Sequence, residues 1–133
     1  TAGATPELVA QADLIVAGAP LLGFALPTAN MRKSIAEDRT HAANPPDMGH
    51  PSMREWMESV SLRAGARAAG FETRIWWSPG SSAKKIAKTL EAAGCSRAAE
   101  PEKFLVTDKY GPLKDGELER AKQWGAKLAA TAG

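Results

Sequence analysis

The spacing of apolar residues changes period along this chain, and each change marks an element. Ala12-Asp13-Leu14-Ile15-Val16-Ala17-Gly18 has an apolar centre without alternation. That pattern suits a strand covered on both faces, as in parallel α/β sheets. Before it, Thr5-Pro6-Glu7 supplies an N-cap, a proline at the first helical position and a carboxylate near the positive helix end. A short helix to about residue 11 is expected there. Residues 18–27 read as a loop leaving the strand, and residues 28–37 as a short helix. Ser52-x-x-Glu55 forms a capping box. Behind it Met53, Trp56, Met57 and Val60 fall at i, i+3, i+4 and i+7, so a helix buries that stripe as ordinary core.

Residues 66–72 form a second strand, a weak one, because alanine and glycine pack poorly on a pleated surface. Residues 73–80 are its exit loop. Ala83, Ile86, Ala87 and Leu90 then line one face of a helix, with Lys84, Lys85 and Lys88 on the solvated face and Gly94 as the stop. A third extended region covers 96–99 and 104–107. Glu100-Pro101-Glu102 interrupts it, since proline cannot donate to a ladder. Asp115 is placed to cap a last helix with Leu118, Ala121, Gly125 and Leu128 inward.

Strands alternating with helices predict right-handed crossovers and a parallel sheet: an α/β fold, a three-layer α-β-α sandwich. Three visible strands leave the apolar strand at 14–18 on an edge or weakly flanked, an exposure that folded proteins avoid. Residues 1–133 are therefore expected to form a single domain that lacks an N-terminal portion or, as the alternative, borrows strands from another chain.

Composition narrows the class without naming a function. The 133 residues are 44% apolar and 24% charged, which is globular. Apolar runs stop far short of the roughly 20 residues a membrane-spanning helix needs, so no membrane association is expected. One cysteine excludes an internal disulfide framework and fits a reducing cytoplasm. At the start of the last extended segment, Cys95 reads as buried and inert. The net charge of +2 is unevenly spread: residues 1–66 carry five basic and seven acidic groups, residues 67–133 twelve and eight. The basic residues sit mostly on helix faces rather than in an aromatic-interleaved stripe, which argues against nucleic-acid binding. His41, Asp47 and His50 could ligate a metal but lie in or beside a proline-rich connection at 40–51, and no metal is expected.

In open α/β sheets ligands bind beyond the carboxyl ends of the strands. Two loops occupy such positions. The first runs through Ala19, Pro20, Leu21, Leu22, Gly23 and Phe24 to Pro27, its prolines and glycines fixing a backbone that a ligand can approach closely. The second runs through Thr73, Arg74, Trp76 and Trp77 to Gly80. Adjacent tryptophans in an extended segment cannot both point inward, so one is expected to face the ligand region or solvent. Gly80-Ser81-Ser82 at a helix start is a further place where free backbone N–H groups could cradle an anion, or serve simply as a cap.

In order and spacing these segments resemble the flavodoxin family. Ala12 to Pro20 with Gly23-Phe24-Ala25-Leu26-Pro27 looks like that family's third strand and first flavin loop. Gly70-Phe71-Glu72-Thr73-Arg74, then Pro79-Gly80-Ser81-Ser82-Ala83-Lys84-Lys85-Ile86, resembles the fourth strand, second flavin loop and fourth helix. Phe104 to Asp108 followed by Gly111 to Ala121 matches the fifth strand and last helix. The resemblance implies a five-stranded parallel sheet and a noncovalently bound FMN with its ring between the two loops. It also implies an electron carrier, more than a catalyst with its own substrate, serving a redox partner protein, with an oligomer allowed. The family's phosphate-binding loop and first two strands have no counterpart here, and Leu21-Leu22 stands where related loops carry polar residues. An NAD(P)H-dependent quinone or flavin reductase on the same fold is the alternative. A third reading is a module that has kept the fold and lost the cofactor.

Overall fold

A computed structural model of the chain describes residues 3–21, 26–37, 49–108 and 111–132. Their order is α1 (Pro6–Val9), β1 (Leu14–Pro20), α2 (Ala29–Glu37), α3 (Met53–Ser59), β2 (Arg67–Arg74), α4 (Ser82–Ala92), β3 (Ser96–Arg97), β4 (Glu102–Leu105) and α5 (Glu117–Ala132). The architecture is α/β with an open sheet whose strand pairs are all parallel.

β2 is the middle of that sheet. β1 pairs with it over its whole length, from Leu14↔Arg67 to Pro20↔Thr73. On the opposite edge, β3 pairs with the start of β2 and β4 with its end. β3 and β4 are thus one sheet position broken in two, with Pro101 in the gap as the sequence predicts, although Glu102, read as part of the interruption, pairs with Phe71 at the start of β4, which ends at Leu105. The interval at 40–48 lies outside the described residues, and so do His41 and Asp47.

Local signals form the caps where expected. Thr5 Oγ1 accepts from Leu8 N at 3.4 Å. Ser52 Oγ accepts from Glu55 N at 3.2 Å while Ser52 N donates to Glu55 Oε2 at 2.7 Å, a complete capping box. α4 buries Ala83, Ile86, Ala87 and Leu90 and exposes its three lysines. Gly94 ends it at φ +107°, in the left-handed region that glycine enters without penalty.

The two sheet faces are covered differently. On one, Ile15 and Ala17 of β1 and Ala68 of β2 pack with Ile86 and Leu90 of α4, Trp56 of α3 and Val9 of α1. Gly70 permits this approach: a Cβ there would lie 2.7 Å from the Ala83 carbonyl oxygen. That close contact explains why a strand that looked weak by propensity is central. Cys95 joins the same core, and burial pushes its thiol pKa up.

On the other face, Phe71, Phe104 and Trp124 form a triangle of edge-to-face rings with centroids 5.9 to 6.0 Å apart. Trp124 comes from α5, and Leu128 of the same helix is buried. This corrects the sequence reading of α5. Leu118 is 61% exposed and Gly125 is exposed, so the inward stripe runs through Glu117, Arg120, Ala121, Trp124 and Leu128. Counting aliphatic residues alone places the stripe about one residue off, because its main anchor is an indole.

Candidate functional site

The carboxyl ends of β1 and β2 lie side by side, and hydrogen bonds tie their exit loops together. Leu21 N donates to Thr73 O at 2.9 Å, extending the ladder one residue past β1. Ser82 Oγ, at the start of α4, donates to Pro20 O at 3.0 Å. The far end of the first loop is held by Arg54 of α3, whose Nη2 and Nε donate to Leu26 O at 2.6 Å and Pro27 O at 3.1 Å. Among the predicted loop residues, Ala19 is half-buried, Pro20 is exposed and Leu21 is buried. Leu21 therefore belongs to the core by its side chain and offers the site only its backbone. Leu22, Gly23 and Phe24 lie outside the described residues.

The second loop is built around Arg74. Its Nη1 donates to Gly80 O at 3.0 Å, bridging the loop from one end to the other. Ser78 N donates to Ile75 O at 3.1 Å and closes a turn over the tryptophans. Gly80 takes φ +86°. Trp76 and Trp77 are 68% and 61% exposed. The sequence argument that both could not point inward thus understates the case, since neither does. Two adjacent indoles on the rim of the central strand form an apolar patch of the kind that marks ligand or partner contact.

Beneath the loop sits a residue the sequence reading passed over. Glu72, on the α4 face of β2, is 2% exposed. Its Oε1 accepts from Ser81 Oγ at 2.5 Å and from Ala83 N at 3.3 Å, and its Oε2, which accepts no hydrogen bond, faces Arg74 Nη1 at 3.5 Å. Ser81 Oγ also caps α4 by accepting from Lys84 N at 3.1 Å. The carboxylate therefore occupies the place an external anion would take at this helix N-terminus, where the positive end of the helix favours negative charge. Of the two sequence readings of Gly80-Ser81-Ser82, the structure shows the cap, with Ser81 accepting from Lys84 N, and the Glu72 carboxylate stands where an external anion would lie. The available signal was a carboxylate two residues before the end of a strand whose preceding alternate positions, Ala68 and Gly70, are small and apolar.

His50 is described, and no group of three or more His, Cys, Asp or Glu side chains among the described residues is arranged to hold a metal ion. Among those residues no helix is long and apolar enough to cross a membrane. Searches of protein families, of curated proteins and of solved structures find no match to this chain.

Proposed function

We propose that the chain is a flavodoxin-like electron-transfer module that takes the ring of FMN between the loops following β1 and β2. The observation that carries this reading is the exposed Trp76–Trp77 pair at the carboxyl end of the central parallel strand, beside the exit of β1. A flat aromatic ring is what such a surface covers well, because stacked indoles supply large rigid contact area at low entropy cost. When bound, the flavin supplies the capacity to carry one or two electrons. The chain's residues supply the slot: Trp76 or Trp77 on one side, the backbone of Ala19 to Leu21 on the other, and Arg74 holding the second loop in shape.

The donor set fits the ring and not the phosphate. Ser81 Oγ and Ala83 N, the groups at the start of α4 that would suit a phosphate, are already engaged by Glu72. Glu72 also places negative charge beneath that position. A second reading follows from the same observation. A module that keeps the fold without the cofactor needs no phosphate donors, and the burial of Leu21 suits it equally.

Titration of the purified protein with FMN, followed by flavin and tryptophan fluorescence, separates the two. The carrier reading expects saturable quenching of both signals, with Trp76→Ala or Trp77→Ala weakening affinity by about tenfold, the scale of 1–3 kcal/mol for one stacking partner. A colourless protein that ignores added FMN sinks it. NAD(P)H oxidation coupled to a quinone would instead indicate a reductase.

A further inference from the structure

The cations of this chain divide by residue type. Arg32, Arg63, Arg74, Arg97 and Arg120 each pair with a carboxylate, and Arg54 and Arg67 donate to backbone carbonyls. No ion pair among the described residues engages Lys84, Lys85 or Lys88 of α4, and all three are exposed. Glu91, the one acid of that helix, is held by Arg97.

The setting of these lysines is free of exposed negative charge. Although 15 of the 133 residues are acidic, none lies from Thr73 to Leu90, which covers the second exit loop and most of α4. None lies from Leu14 to Ala36 either, which covers β1, the first exit loop and most of α2. Glu72 sits below α4 but is buried and engaged by Ser81, Ala83 N and Arg74. At the same end of the sheet the β4 exit carries Asp108 and Asp115, but that exit leads into α5 on the opposite face. The cationic rim is therefore confined to the α4 side.

Helix stability does not call for this charge. The first turns of α1, α3 and α5 hold glutamates, as the positive end of a helix favours. α4 has no acid in its first turn and places Lys84 and Lys85 there. Lys88 follows one turn on, about 6 Å further along the axis at 1.5 Å per residue. An anion outside the chain can offset that cost. The same rim carries the exposed indoles of Trp76 and Trp77, because Arg74 Nη1 draws Gly80 O, at the threshold of α4, back to the start of the loop.

We propose that Lys84, Lys85 and Lys88, together with the Trp76–Trp77 pair, form a docking face for a protein partner whose contact surface is acidic around an apolar centre. That the partner is a protein rests on the electron-transfer reading, since a carrier exchanges electrons with another protein; the sign of its charge comes from the lysines. Unpaired surface charge steers the encounter and an aromatic spot fixes its place, a combination suited to brief redox contacts with small interfaces.

Binding to the flavin-free 133-residue protein at low ionic strength tests this. The probes are a plant-type ferredoxin as the acidic protein, cytochrome c as the basic one and a short single-stranded thymidine oligonucleotide. Ferredoxin alone should bind saturably, and at least about tenfold more weakly in about 0.2 M salt. Lys84→Glu combined with Lys85→Glu should weaken binding by about tenfold or more. Lys122→Glu with Lys127→Glu, the same change of net charge at exposed positions of α5, should alter it less than about twofold. Glutamates at the start of α4 suit the helix dipole, so the first pair keeps the fold, which thermal melts verify. Equal weakening by both pairs overturns the proposal, because net charge alone would then explain binding. Absence of ferredoxin binding, or tighter binding of cytochrome c, also overturns it. Tighter binding of the oligonucleotide through the same lysines overturns it in favour of a nucleic acid, and lysine-dependent dimerisation in favour of a second copy. FMN titration of the same samples is read separately. A protein that binds ferredoxin through these lysines and ignores FMN keeps the docking face and loses the electron-transfer reading.

Discussion

A carboxylate that is 2% exposed, and that accepts through one oxygen only, stays in place because its neighbours leave it no better state. Glu72 gathers the Ser81 hydroxyl, the Ala83 amide and the Arg74 guanidinium into one cluster under the β2–α4 loop. Truncating it would strip a buried N–H of its acceptor and leave Arg74, which is itself largely buried, without a counter-charge. Glu72→Ala should therefore lower stability by about 1–3 kcal/mol, with Glu72→Gln falling between it and the parent because the amide oxygen can still accept from Ala83 N. Urea denaturation at neutral pH measures both. Equal midpoints for all three proteins would show that the cluster contributes nothing net. None of this was visible from spacing, since the partners are separated in sequence by up to 11 residues and meet only where a strand turns into a helix.

At the scale of elements, the sequence was most legible where a local signal decides the structure. The capping box at Ser52, the four buried positions of α4 and the stop at Gly94 need only neighbours within one or two helical turns. The interruption at Pro101 was readable because a missing N–H is a local property. α5 was read less well because its orientation depends on a contact between distant residues: Trp124 meets Phe71 and Phe104 from 20 or more positions away. The candidate site divides the same way. The two loops leave strand ends where parallel topology puts them, but both strands run further than the sequence reading allowed: Gly18, Ala19 and Pro20 pair in β1, and Thr73 and Arg74 end β2. The burial of Leu21 and the filling of the α4 N-terminus by Glu72 needed three dimensions. The corrected face of α5 carries a direct test. Trp124→Ala should cost at least about 2 kcal/mol through loss of ring packing. Leu118→Ala, at an exposed site, should stay within about 0.5 kcal/mol of the parent. Thermal melts of the two variants would show the reverse order if α5 packed on its aliphatic stripe.

For the whole molecule, stability is unevenly spread, and pH should reveal how. β2 is paired on both edges, and its α4 face lies in the main core. α5 holds on through fewer attachments: the aromatic triangle, Leu128, the Arg67 guanidinium donating to the Thr131 carbonyl near its end, and a charged cluster at its start. In that cluster Glu117 accepts from Leu105 N at 2.6 Å and from Arg120, while Arg120 donates to the Lys103 carbonyl, pairs with Glu102 at 3.0 Å and lies 4.8 Å above the Phe104 ring. The Arg120 guanidinium, with help from the Leu105 amide, lowers the Glu117 carboxyl pKa below its ordinary 4.5. A carboxyl with a depressed folded pKa binds protons more weakly in the folded than in the unfolded state. Its contribution is therefore complete above the unfolded value and is lost as pH falls from about 4.5 through the lower folded value. Acidification should thus loosen α5 before it opens β2. Hydrogen exchange followed from pH 6 to pH 3, corrected for intrinsic rates, should show α5 amides losing protection while Ala68 to Glu72 keep theirs. Glu117→Gln should remove the part of that pH dependence lying below 4.5, while lowering α5 protection already at pH 6. If α5 and β2 lost protection together at every pH, the helix would belong to the same cooperative unit as the central strand, and the charged cluster would not be its latch.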